Sequence, residues 1–161
     1  MPFFTISLCS GISVETKKEV IYRVTEITTN LLNVPPDKIQ VITQELSKDN
    51  WGKSGAVLDD KHFSRDSRLI DWETKESYYS EQLKEENMIL VTIDVWDMYT
   101  QDQKNSWVEE LTSYFVRNLH IPKDNILILI RDMPSGNWGQ SGVTGANSNF
   151  LNESRLITLK K

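Results

Sequence analysis

The chain has 161 residues, 39% hydrophobic and 25% charged, the makeup of a globular domain long enough to bury a core. A formal net charge of -5 with no clustered Lys or Arg argues against nucleic-acid binding, and no apolar run reaches the ~18 to 20 residues that a membrane helix needs. One cysteine, Cys9, excludes an internal disulfide; His62 and His120 lie far apart with no second ligand type at metal-site spacing, so a structural metal is not expected.

The apolar start, Phe3 to Cys9, is too short to span a bilayer and has no basic flank or small-residue cleavage site, which points to the cytoplasm. Phe4, Ile6 and Leu8 alternate with Thr5 and Ser7, the period-2 pattern of a strand. A helix follows, with Ser13 as N-cap and Val20, Val24, Ile27 and Leu31 along one face. It stops near Val34-Pro35-Pro36, because proline disfavours helical geometry in the residue before it. A second strand runs from Ile39 to Leu46 and ends in a turn whose Gly52 and Gly55 are expected at positive φ.

The stretch from Asp71 to Asn87 is densely charged and carries Trp72, Tyr78 and Tyr79, and reads as a helical connector. Beyond it the order recurs. Val91, Ile93 and Val95 alternate as a strand; Thr100 with Gln103 forms a capping box ahead of Trp107, Leu111 and Tyr114; Ile121-Pro122 ends the helix. The last strand, Ile126 to Met133, is apolar on both faces, the pattern of a strand covered on two sides.

The recurrence is a sequence repeat. Asn50-Trp51-Gly52-Lys53-Ser54-Gly55 returns as Asn137-Trp138-Gly139-Gln140-Ser141-Gly142, about 87 residues later. At that offset Thr5, Pro35, Asp37 and Phe63 meet Thr92, Pro122, Asp124 and Phe150, and the run Ser67-Arg68-Leu69-Ile70 meets Ser154-Arg155-Leu156-Ile157. The expected fold is α/β (α+β): tandem β-α-β repeats at 1–70 and 88–161, joined by the 71–87 connector into one compact domain. They form a four-stranded sheet with two helices on one face. Its other face is apolar and calls for burial by self-association, most simply in a ring of chains.

A proline directly after Met1, then a strand, a helix, a Pro-containing turn, a second strand and the Trp51-Gly52-x-x-Gly55 turn together resemble the 4-oxalocrotonate tautomerase branch of the tautomerase superfamily. The resemblance implies a cofactor-free isomerase. Pro2, its nitrogen freed by removal of Met1, would act as general base and acid in keto-enol isomerisation of a small carbonyl or enol compound. It also implies a homo-oligomer, a trimer of double-length chains standing in for a hexamer. Burial of the amine among apolar side chains would leave it uncharged at neutral pH.

The match has departures. The branch's two carboxylate-gripping arginines fall at Ile12 and Gln40, and in the second repeat at Tyr99 and Leu127. Neither Gln nor Tyr supplies a bidentate cation, so a dicarboxylate bound in the usual way is not expected. Gln40 and Tyr99 are candidate hydrogen-bonding residues for a carbonyl or enol oxygen, and Trp51 and Trp138 are candidate walls of the site. Arg68 and Arg155, at equivalent positions, read as a repeated structural bond. Ile89 takes the place of Pro2 in the second repeat, where its nitrogen is an amide, so each chain has at most one catalytic amine. Two other readings stay open: an inactive tautomerase-fold binding or structural module, favoured by the missing arginines, and a Pro2-dependent hydratase, dehalogenase or decarboxylase.

Overall fold

A computed structural model describes residues 1–157. The first repeat folds as β1 (Phe3–Cys9), α1 (Val14–Leu32) and β2 (Gln40–Leu46), followed by a small hairpin, β3 (Gly52–Lys53) and β4 (Ala56–Val57), and a helical turn, α2 (Phe63–Asp66). The second repeats it as β5 (Ile89–Trp96), α3 (Gln101–Leu119), β6 (Ile126–Met133), β7 (Gly139–Gln140), β8 (Val143–Thr144) and α4 (Phe150–Glu153).

Both long helices begin and end by the same local chemistry. The Ser13 hydroxyl accepts from the Thr16 N–H at 3.0 Å, and Thr100 and Gln103 complete the expected capping box. Asn33 and His120 close the helices in left-handed geometry, with φ 52° and 53°, short of the prolines.

The sheet order is β2-β1-β5-β6. Each repeat contributes a parallel pair, β1 with β2 and β5 with β6, and the repeats join through an antiparallel β1–β5 seam in register Phe3↔Asp94 to Leu8↔Ile89. The seam's inward side chains, Phe4, Ile6, Leu8, Ile89, Val91, Ile93 and Val95, are fully buried under the two helices. Trp107 of α3 packs edge-on against Phe4 at 5.5 Å and donates its indole N–H to Thr28 of α1 at 3.0 Å. That bond ties the repeats' helices together inside the core.

Two expectations, the helical connector and the φ of Gly52, are corrected. The 71–87 connector is not helical: Asp71 accepts from the Thr74 N–H at 2.6 Å to close a tight turn, and Lys75 adopts a left-handed φ of 59° that interrupts any helix. Within one chain strand β6 lies at the sheet edge, with Leu127 and Leu129 exposed on the apolar face opposite the two helices. In the hairpin turn the positive φ values fall on Ser54 (51°) and Gly55 (79°), not on Gly52, which pairs with Val57. Two consecutive positive-φ residues give the turn the twist that a two-residue hairpin loop needs.

Reciprocal ion pairs lock the repeats across the seam. Arg68 of the first repeat forks onto Asp124 of the second (Nε–Oδ2 2.8 Å, Nη2–Oδ1 3.1 Å), and Arg155 forks onto Asp37 (2.9 and 3.0 Å). This is the repeated structural bond expected of the two arginines. The halves differ in depth. Arg68 also holds the buried Glu86, whereas the Arg155–Asp37 pair lies half open to solvent.

Candidate active site

The antiparallel seam decides which residues share an end of the sheet. Strand β1 has seven residues, a length of roughly 20 Å. At its start lie Pro2 and, across the seam, the end of β5 with the segment leading into α3. At its far end lie Cys9 and the start of β5.

Pro2 is buried, and its carbonyl accepts from the Gln40 backbone N–H at 3.2 Å, which fixes the chain start against β2. Met1, which precedes it, is only 6% exposed. Burial lowers the Met1 α-amine to about 6, against ~7.7 to 8.0 for an ordinary chain terminus. While Met1 is attached, the Pro2 nitrogen is an amide without basicity. Its removal both frees a secondary amine in this apolar corner and vacates the space that the methionine side chain fills.

Gln40, Tyr99 and Trp138 lie at the Pro2 end. Gln40 opens β2 with an exposed side chain next to Phe3. Tyr99 is half-buried, packs against the main core, and has its phenol pushed up by burial. Trp138 enters the second hairpin, where its carbonyl accepts from the Gly145 N–H at 2.9 Å. Trp51 is not brought to Pro2 within one chain. It packs with Cys9, Ala56, Leu58 and Phe63 at the far end of β1, beside Ile89. Ile12 packs against the core, and Leu127 is exposed beside Leu90.

Two side chains at the Pro2 end carried no signal in the sequence. Lys38 is almost completely buried, its ammonium donating to Ser154 Oγ at 2.7 Å and lying 3.3 Å from Asp37. Its repeat-equivalent, Asn125, donates instead to Glu86 at 2.7 Å. Trp96 closes β5 with its ring against Phe150, centroids 5.4 Å apart, where the first repeat has Cys9. Neither reads as functional in isolation, because a lone lysine or tryptophan at a strand end is common.

A terminal amine in an apolar corner, at the same end of the sheet as the neutral hydrogen-bonding groups of Gln40 and Tyr99, is an arrangement able to move a proton to and from a small molecule. Among the described residues no group of His, Cys, Asp and Glu side chains could hold a metal ion.

Known proteins resemble the chain in sequence and in fold. A probable tautomerase of Halalkalibacterium halodurans is 34% identical over 61 residues, covering 38% of this chain and 100% of the relative. A probable tautomerase of Streptococcus pyogenes is 40% identical over 55 residues, covering 34% of this chain and 90% of the relative. Solved structures share the double-length fold. The fused 4-OT wild type asymmetric trimer has a TM-score of 0.67 at 18% identity, covering 89% of this chain and 96% of its own. Pt0534 inactivated by 2-oxo-3-pentynoate gives 0.68 at 18% over the same shares. A member of the cis-3-chloroacrylic acid dehalogenase family gives 0.68 at 17%, covering 96% of this chain and 92% of its own. The sequence profile of the tautomerase enzyme family matches residues 2–61 and again 90–146, and on that match, which takes in most of both repeats, the chain belongs to the tautomerase family.

Proposed function

We propose that the chain is a cofactor-independent tautomerase in which Pro2, after removal of Met1, shuttles a proton in keto-enol isomerisation of a small carbonyl compound. The carrying observation is the buried chain start: Pro2 and Met1 lie inside, and burial there lowers even the Met1 amine, one residue ahead of the Pro2 nitrogen, to about 6. A base must be unprotonated to accept a proton, and desolvation favours that form at neutral pH. Gln40, Tyr99 and Trp138 form the substrate-facing set, and Trp51 serves a chain's Pro2 only across a subunit boundary. Three chains assemble in this reading, as the fused 4-OT trimers do, and cover the outer sheet face where Ile42, Leu127 and Leu129 are exposed. Repeats and connector work as one unit in the cytoplasm.

The absence of arginine at Ile12, Gln40, Tyr99 and Leu127 favours a monoanionic or neutral substrate, and it also supports the second reading, a tautomerase fold serving as a binding module. Intact mass of the purified protein, followed by ketonisation assays with phenylenolpyruvate and 2-hydroxymuconate, separates the two. Demethionylated protein is expected to turn over at least one compound. Failure with both would leave the binding module ahead.

The pH dependence provides a further check. Desolvation at the buried chain start disfavours the charged form of the Pro2 amine, so kcat/KM should rise as that amine loses its proton and level off below pH ~8, the region where an ordinary chain terminus titrates. A rise centred at or above that range would show that the amine is not held in an apolar setting.

A further inference from the structure

We infer that the indole N–H of Trp96 is the hydrogen-bond donor for the substrate oxygen on which charge develops, an assignment that rests on the Pro2 reading above. The Trp96 Nε1 is buried and finds no acceptor among the described residues. An unpaired buried donor costs on the order of 1 to 3 kcal/mol; Trp51 Nε1 is unpaired as well, but of the two indoles only Trp96 lies at the Pro2 end, where a ligand oxygen can supply the acceptor.

Its place in the fold says which ligand. Carrying the β1–β5 register two residues outward from Phe3↔Asp94 brings Met1 level with Trp96. The same relation is seen directly at the other end of the seam, where the repeat-equivalent residues Cys9 and Met88 touch. The Met88 N–H donates to Cys9 Sγ at 3.4 Å, and Sγ lies 3.6 Å from the Met88 carbonyl oxygen. The extended register thus sets Trp96 opposite Met1, at the end of the sheet where cleavage of the buried Met1 frees space next to the Pro2 nitrogen.

The backbone holds the ring in place. A Cβ on Gly145 would come within 2.5 Å of the Trp96 ring, so the second hairpin clamps the indole from one side while Phe150 meets it edge-on. A fixed donor aimed at a developing oxyanion loses little by reorganisation.

The proton balance is simple. The Pro2 amine takes the enol O–H proton, the oxygen's electrons re-form the carbonyl as the double bond shifts, and the resulting ammonium returns the proton to carbon. Trp96 keeps its own hydrogen throughout and stabilises the intervening enolate.

Trp96→Phe removes the N–H and keeps an aromatic ring. Demethionylated Trp96→Phe protein is expected to lose on the order of 10²-fold in kcat/KM for phenylenolpyruvate. Its thermal midpoint should hold or rise, since an orphaned donor has gone. Unchanged kcat/KM in a folded variant, with Pro2→Ala impaired, overturns the Trp96 assignment alone; Pro2→Ala at full activity overturns the reading beneath it.

Should Trp96→Phe not fold, wild-type protein answers the question by NMR. The Trp96 indole resonance, assigned through its proximity to Phe150, should move downfield with phenylpyruvate and much less with 3-phenylpropionate, which lacks the carbonyl oxygen. A resonance that stays put, or moves equally with both, overturns the assignment.

Discussion

Pro2→Ala protein is expected to ketonise phenylenolpyruvate roughly 10²-fold more slowly than demethionylated wild type, within the 10²–10⁴-fold span of a general acid–base group. The loss is incomplete because cleavage of Met1 before alanine still leaves a primary amine. What disappears is the ring, which fixes φ and aims the nitrogen, while the bond from Gln40 N–H to the residue 2 carbonyl holds the chain start as before. A second variant sharpens the test. Inserting one alanine between Met1 and Pro2 leaves the Pro2 nitrogen acylated after Met1 is cleaved, and an amide nitrogen accepts no proton, so activity should drop to background. Full activity in the insertion variant, with intact mass confirming the extra residue, would remove Pro2 from the chemistry altogether.

How far the site could be read from sequence depends on which interactions are local. Strand alternation, the Ser13 and Thr100 caps and the proline stops act over a few residues, and the elements they mark formed where expected. The placement of Trp51 depended on something non-local. The repeat pattern is identical whether β1 and β5 pair parallel or antiparallel, yet only the antiparallel seam sends the first hairpin to the Ile89 end and the second to the Pro2 end. Trp96 carries no signal in the sequence for the same reason: only the antiparallel register sets it level with the chain start. The connector failed differently. Its charge density suggested a solvated helix, but Asp71 is committed to a turn and Glu86 to Arg68 and Asn125. The turn partner Thr74 is local, but Arg68 and Asn125 lie outside the connector.

Arg68→Ala is expected to be the most damaging substitution to stability, at about 3 to 5 kcal/mol, because it leaves a buried carboxylate without its cation. The side chains of Arg68 and Glu86 are 4% and 3% exposed and make two contacts, at 2.9 and 3.1 Å. Burial pushes the Glu86 carboxyl up, but hydrogen bonds from Arg68, Ser64 and Asn125 bring it below its usual range. Burial likewise opposes ionisation of Asp124, and bonds from Arg68, Lys53 and Tyr78 overcome it. Both folded-state values are depressed. Their contribution to stability is therefore full above the unfolded-state values of about 4.3 and 3.9 and is lost as pH falls through the folded-state ones. Without Arg68, desolvation of Glu86 meets less opposition and its folded value rises, so the variant is penalised at neutral pH and relieved on acidification as the carboxyl takes up a proton. The gap between wild type and Arg68→Ala in urea unfolding, at one protomer concentration, should thus be wide at pH 7 and narrow toward pH 4. Arg155→Ala supplies the contrast. Its partner Asp37 sits at about 2, held down chiefly by Arg155, but both side chains are nearly half exposed, and an ion pair screened by solvent contributes only about 0 to 1 kcal/mol. Equal losses for the two arginines, or a gap for Arg68→Ala that does not change with pH, would mean that the buried Glu86 charge is not what Arg68 holds in place.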